Sequence, residues 1–415
     1  MFKFSTSTNL DFVGKDERKP ALRMPSVKNL SAERIRVLRI AHASLTPALR
    51  GRERGIARKF PEVDLQVITT PRWREAGVDV ETVTDDLFPV KTAQSFLSKH
   101  IQLFAYDPLP IIKALREFRP HIIDMDHEPY SIPCAEILTL RNRFAPETPI
   151  VMQTAQNIYK NYPFPFSLLE KRALKQISAA YMCSETTREV LEEKGFNKPM
   201  RIAPFGVDLE MFEFKERESQ EVLTIGYVGR LLPAKGLMTL ADALAKIKTE
   251  KWNLLIVGDG EERSKLEKRL IEFGLFERAR FTGAVSYDQT PDYFRQIDIL
   301  VVPTQTTAKI REQFGRVIIE AMACGTAVVG STSGAIPEVI ADAGIVFPEN
   351  EPESLAAELR RLIYNRNLLA SLSEKGRKRV ETYYTWENVA EKIFSLYCRV
   401  LQQNSVGSPE LCFNE

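Results

Sequence analysis

From about residue 35 to residue 402 the chain alternates short β-branched runs with amphipathic stretches of helical length. That alternation leaves few folds open, because each strand returns to its sheet through a helix and the strands come out parallel. Parallel sheets need helices on both faces, so the pattern implies layered α/β domains. In the first half it predicts strands over 35–41 (IRVLRIA), 63–69 (VDLQVIT), 121–125 (HIIDM), 149–153 (PIVMQ), 179–183 (AAYMC) and 200–204 (MRIAP). Helices are expected among them over 109–118 and 186–195, the second ending on Gly195 as helices commonly do. The stretch DLEMFEFKERESQE is charged, lacks glycine and reads as a linker.

The pattern then restarts, with strands over 224–229, 253–258, 280–283, 298–303, 327–330 and 344–348. Helices over 236–247, 260–273, 287–296, 315–324 and 352–364 separate them. The expected fold class is α/β, with two doubly wound, Rossmann-like domains facing across a cleft. The plan is an arm over 1–33, a first domain over 34–206, a linker over 207–221 and a second domain over 222–385. A helix over 386–403 packs back on the first domain, and 404–415 is a tail. A chain of 415 residues has room for this plan.

Composition narrows the function classes. Lys and Arg number 57 against 55 Asp and Glu, a net charge of +2, too even for a chain whose main partner is nucleic acid. No apolar run reaches the length of a membrane span, and the first residues, MFKFSTSTNL, lack the apolar core of a secretory signal. The five cysteines (134, 183, 324, 398 and 412) are scattered, without metal spacing or a disulfide framework. A reducing compartment, most simply the cytoplasm, is expected.

Two local patterns carry chemistry. The first strand of the second half runs into Gly229-Arg230-Leu231-Leu232-Pro233-Ala234-Lys235-Gly236 and then a helix. Glycine permits a sharp turn beside a ligand, while Arg230 and Lys235 can reach one anionic group. The spacing is not that of a Walker loop, and on this stretch alone a solvated basic turn explains it equally well. Further on, Phe314-Gly315 opens an apolar helix whose free amides form an anion site. Glu312 precedes that end, and Glu320 lies about two turns inside. A buried Glu needs donors, such as sugar hydroxyls; the ordinary alternative is a half-exposed Glu on an amphipathic helix.

Other signals have plainer readings. Asp124 and Asp126 could share a divalent ion, but they end a strand, where acidic residues are common. His42, His100 and His121 read as structural or exposed. The basic run Arg50, Arg52, Arg54, Arg58, Lys59 reads as a solvated helix face, or else as a surface for anionic lipid or a phosphate-bearing acceptor. YKNYPFPFSLLEKRALKQ (159–176) reads as core packing with exposed basic residues, or as a membrane or acceptor surface.

Taken in order, DHEPY (126–130), PFGVDLEMF (204–212), GRLLPAKG (229–236), VGDGEER (257–263), EQFGRVIIEAMACGTAVV (312–329) and SGAIPEVI (333–340) resemble the retaining nucleotide-sugar glycosyltransferases of family 4 (group 1). The resemblance implies the GT-B fold and no metal or other cofactor. It also implies a nucleoside diphosphate sugar as donor and a glycan, lipid or small-molecule hydroxyl as acceptor. Arg230 and Lys235 would hold the donor diphosphate, Glu312 the hydroxyls of the transferred sugar with the backbone of Phe314 and Gly315, and Glu320 the ribose. His127 would approach the donor sugar and acceptor, with Glu128 as a scaffold for its loop. Gly229, Gly258, Asp259 and Val317 would border the donor, with Asp259 alternatively shaping its turn. Gly51 would be the first domain's close-approach glycine, and Arg316 would reach the diphosphate or point to solvent. The expected activity is metal-independent hexosyl transfer with retention, in the cytoplasm or at the inner face of a membrane. An epimerase, a sugar phosphorylase or a non-catalytic sugar-nucleotide-binding module are the alternatives.

Overall fold

A computed structural model describes residues 34–75, 78–97, 100–215 and 221–404. The expected arm over 1–33 and almost all of the tail lie outside the described residues. The first domain is built on a seven-stranded parallel sheet. Its strands, in spatial order, are Met200–Ile202, Ala179–Met182, Ile150–Thr154, Ile122–Asp126, Ile35–Ile40, Val63–Thr69 and Val90–Thr92. The second is a six-stranded parallel sheet in the order Ala279–Phe281, Trp252–Val257, Leu223–Val228, Ile299–Val302, Ala327–Ser331, Ile345–Phe347. In both sheets the chain starts in the middle, runs to one edge and returns beside its first strand. That reversal opens a crevice at the carboxyl ends of the two central strands. The crevice lies past Ile40 and Asp126 in the first domain, and past Val228 and Val302 in the second.

The strands form where β-branched runs are buried on both faces: Val37, Leu38 and Ile40 in one, Ile299, Leu300 and Val301 in the other, all fully buried. Fully burying each such side chain is worth about 1.5–3 kcal/mol, so register is strongly fixed.

The helix Trp386–Asn404 crosses back as expected. Val389, Ala390, Ile393, Phe394, Tyr397 and Val400 join the first domain's core with Ile35, Ile56, Phe60 and Val63. Phe394 stacks on Phe60 at 4.0 Å between ring centroids. Three glycines make room for Trp386: a Cβ on Gly51, Gly55 or Gly206 would lie 2.1, 2.6 or 2.6 Å from it. Gly51 therefore serves the crossing helix, not the donor, and that expectation is corrected.

Two further expectations change, and one helix is added. The start of the supposed linker belongs to the second domain: Phe212 is fully buried against Phe294 and Tyr287, and Val207 bridges to Thr385. Arg366–Tyr383 is a helix that the sequence pattern did not announce. The basic run is neither a solvated face nor a lipid surface along its length. Arg50 is fully buried and donates to the carbonyls of Ser44, Leu45 and Val83 at 2.9, 2.6 and 2.6 Å. Arg54 pairs with Asp85 and Asp86 at 2.7 Å, and Lys59 with Glu391 at 2.5 Å.

Candidate active site

Past the strand Leu223–Val228 the chain turns at Gly229, whose φ is +145°, and runs through a short 3-10 turn, Pro233–Lys235. Gly236, at φ +70°, then opens the helix Leu237–Lys246. The turn is held from behind, since Tyr227 donates its hydroxyl to the Arg230 carbonyl at 2.7 Å. Gly258, at φ +126°, brings the neighbouring strand end against it, and a Cβ there would fall 2.0 Å from the Gly229 carbonyl oxygen.

On the other side of the crevice Gly315, at φ +80°, caps the helix Arg316–Ala323. A pocket of about 240 Å³ between these turns is lined by Gly229, Arg230, Lys235, Thr304, Glu312, Gly315, Arg316 and Val317. Lys235 Nζ lies 2.6 Å from Glu312 Oε2, and Thr304 donates to the same carboxylate oxygen at 3.2 Å. One basic turn, one carboxylate and one helix N-terminus thus converge on a single space. That is the chemistry of an anion held beside hydroxyl groups.

Glu320 sits deeper. Burial raises its pKa, opposed by Arg316, whose guanidinium lies 3.5 Å away, and by a hydrogen bond from Tyr287. Phe314 turns its ring onto Phe205 and Tyr384 and does not line the pocket. Gly258 and Asp259 do not line the pocket. Asp259 is exposed and accepts from the Gly260 amide at 2.8 Å and from Arg263 at 3.3 Å, so it shapes its own turn. A larger cavity of about 690 Å³ lies at the opposite ends of the second sheet's strands, by Thr224 and Asn253. None of the marked residues reaches it, and parallel sheets bind ligands at their carboxyl ends.

In the first domain His127 follows the strand Ile122–Asp126 and is buried. Its Nε2 is 3.0 Å from the Tyr106 hydroxyl, and its ring stacks on His42 at 5.5 Å, beside Phe104. His42, which reads in sequence as structural or exposed, lies just past the carboxyl end of the first strand, where ligands gather in such sheets. Burial holds both imidazoles below their ordinary pKa, with His42 and Arg39 pushing His127 further down.

Stability should therefore respond to acid with a definite sign. Above about pH 6.5, the unfolded histidine value, folded and unfolded chains are both neutral at these sites. As pH falls below that, only the unfolded chain takes up the protons, so stability is lost, by up to about 2.7 kcal/mol per pH unit for two groups. Melting temperatures followed from about pH 7 to about pH 5 should fall more steeply in the native chain than in a His42→Asn/His127→Asn variant. Parallel curves would contradict the buried neutral pair.

The two halves of the site are tied by the loop after the strand Ile150–Thr154. Glu128 accepts from Thr154 Oγ1 at 2.7 Å and from the Ala155 amide at 2.9 Å, a scaffold for the His127 loop. From the same loop Asn157 donates to the carbonyls of Glu312 and Arg311 at 2.9 and 3.2 Å. Gln313 donates back to the Ala155 carbonyl at 2.8 Å. Cys183 reaches the Gln313 carbonyl at 3.4 Å, its thiol pushed up to about 11 by burial. Asn157 has no local sequence signal, because its partners lie more than 150 residues away. Asp124 is engaged from several sides: Arg39 holds it at 2.6 Å, and the hydroxyls of Tyr181 and Tyr397 also donate to it.

Two Rossmann-like domains, with this pocket at the carboxyl ends of the second one's central strands, define the GT-B fold. Residues 209–379 match the family model of the group 1 glycosyl transferases. The match lies within the second half of the chain. It is 34% identical over 176 residues to an uncharacterized glycosyltransferase of Methanocaldococcus jannaschii, covering 41% of this chain and 43% of that protein. It is 26% identical over 242 residues to the MMP alpha-(1->4)-mannosyltransferase of Mycolicibacterium hassiacum, covering 56% and 57%. The chain spans about half the length of the curated relatives it matches. Among solved structures, Anabaena HepE in complex with UDP superposes with a TM-score of 0.66 at 17% identity, over 88% of this chain and all of that one. That likeness is one of fold. Among the described residues no helix is long and apolar enough to cross a membrane.

Proposed function

We propose that the protein transfers a hexose-type sugar from a nucleoside diphosphate sugar to an acceptor hydroxyl, with retention of anomeric configuration and without a metal ion. One observation carries the reading: Arg230, Lys235, Glu312 and the amide end at Gly315 share a single pocket. Breaking a glycosyl–diphosphate bond builds positive character at the anomeric carbon and negative charge on the departing oxygens. Fixed donors aimed at that departing charge lower the barrier without solvent rearrangement. Arg230, Lys235 and the helix end suit the diphosphate, and Glu312 suits the sugar hydroxyls. Glu320, once released by Arg316, suits the ribose. The leaving oxygens then take the acceptor proton on the same face, so the incoming bond forms where the old one broke.

The transferase names of the relatives and the UDP held by HepE support a nucleotide donor. The first domain would select the acceptor, with His127 brought to the donor sugar through the hydrogen bonds at residues 154–157. We further propose residence in the cytoplasm or at the inner face of a membrane.

Thermal stabilisation by UDP, GDP, ADP and TDP tests the donor pocket. A ligand at about a hundred times its Kd adds roughly 2.7 kcal/mol, and no response to any of them would remove the reading. Once a donor is found, turnover should persist in excess chelator. Loss of activity restored only by divalent ions would overturn the metal-free mechanism.

A further inference from the structure

Between the domains, beside Phe205, lies a second cavity of about 250 Å³. Arg39, Arg52, Glu53, Asp126 and Gln153 line it from the first domain and Arg316 from the second. Arg39 is fully engaged, with Glu53 at 3.0 Å, Asp124 at 2.6 Å, Gln153 at 2.7 Å and Asp126 at 3.5 Å. Arg52 is not. It is only 7% exposed, yet among the described residues it makes no ion pair. One of its Nη atoms donates to Gln153 Oε1 at 2.7 Å, and its Nε is buried without an acceptor. Glu53, next to it in sequence, is turned onto Arg39 and Ser44. The guanidinium otherwise meets the rings of Tyr181 and Phe205, at 5.3 and 5.9 Å.

Buried charges in proteins are paired or hydrogen-bonded through, so a buried guanidinium with an idle N–H beside a cavity is arranged for an anion. Its position adds to this. Arg52 lies in the first turn of the helix Gly51–Lys59, whose start has no side-chain cap and attracts negative charge. Arg316 approaches the Phe205 ring from the other domain, at 5.7 Å, so guanidinium groups from both domains flank one ring.

We propose that this cavity binds a phosphate group carried by the acceptor, with Arg52 as its main ligand and Arg316 closing it from the donor side. The proposal rests on the transferase reading. On that reading the donor's diphosphate already has Arg230, Lys235 and Gly315, in a pocket whose lining shares only Arg316 with this cavity. The acceptor is then a phosphate ester with its reactive hydroxyl on the same molecule, and domain closure completes both sites together.

The test is inorganic phosphate titrated into the full chain at constant ionic strength, alone and with saturating UDP or GDP, followed by melting temperature. Phosphate should stabilise the protein, and its effect should add to that of the nucleotide. Arg52→Met should weaken phosphate at least about tenfold, as expected for a lost charge-assisted hydrogen bond, and leave the nucleotide response intact. Mutually exclusive binding would assign the phosphate to the donor's diphosphate and overturn the proposal. So would a native chain indifferent to millimolar phosphate, or an Arg52→Met chain that binds it normally. The additivity arm needs no variant, so it holds even if Arg52→Met fails to fold. A phosphate response that depends on Arg52, with no response to any nucleotide, would keep the anion site and sink the transferase reading instead.

Discussion

Arg230→Ala and Lys235→Ala should each lower turnover at least about a hundredfold, the range seen when one preorganised donor is lost from a site of developing negative charge. The expectation follows from placement. Both side chains line the pocket closed by Gly315, and Lys235 is already fixed by Glu312 at 2.6 Å, so little reorganisation precedes reaction. Arg230→Lys should recover only part of the loss, because an ammonium cannot grip two oxygens in one plane. Turnover with the donor found by thermal stabilisation is the measurement, with melting temperature as the control for folding. Near-native rates in both alanine variants would remove the assignment of these residues, whatever the fold.

The second large effect concerns stability. Gly236→Ala should destabilise the second domain by roughly 2–6 kcal/mol, the sum of a strained backbone conformation and an overpacked contact. The residue sits at φ +70°, and a Cβ would lie 1.8 Å from the Pro303 carbonyl oxygen, a backbone atom that cannot step aside. Pro303 ends the strand beside the pocket, so relief of the clash would pull the basic turn away from Glu312. At about 2–4 °C per kcal/mol for a domain of this size, the melting temperature should drop by roughly 4–24 °C, and nucleotide binding should weaken with it. Gly274→Ala is the internal comparison. It has nearly the same φ, +69°, but open space where the Cβ would go. It should cost only the backbone term, about 1–2 kcal/mol. Equal losses in the two variants would mean that the clash with Pro303 contributes nothing.

Much of the fold was legible because burial on both faces writes itself into sequence as unbroken apolar runs. The expected strand over 63–69 coincides with Val63–Thr69, and that over 149–153 differs from Ile150–Thr154 by one residue. The helix Arg366–Tyr383 was not legible because it buries only Leu372, Gly376 and Val380, a stripe four residues apart. Its central glycine looks like a break, yet Gly376 lets the helix approach Met322, 3.0 Å from where a Cβ would stand. The short strand Val90–Thr92 escaped for a similar reason, being half-buried at one end and exposed beyond.

The candidate residues lining the pocket were visible because each comes from a short stretch whose backbone also makes the turn: Gly229 to Gly236, and Glu312 to Val317. Local sequence alone determined an α/β chain of two doubly wound sheets, a final amphipathic helix, a basic turn and, separately, an apolar helix opened by Phe314-Gly315. What it could not determine was any property set by partners distant in the chain. Arg50 and Arg52 read as surface until the fold buried them. Gly51 read as a ligand contact until Trp386 filled its space. His42 and Asn157 carried no signal until the sheets brought His127 and Glu312 beside them. Periodicity reports whether a residue is buried; only the packed chain decides against what, and the chemistry of a buried charge depends on that neighbour.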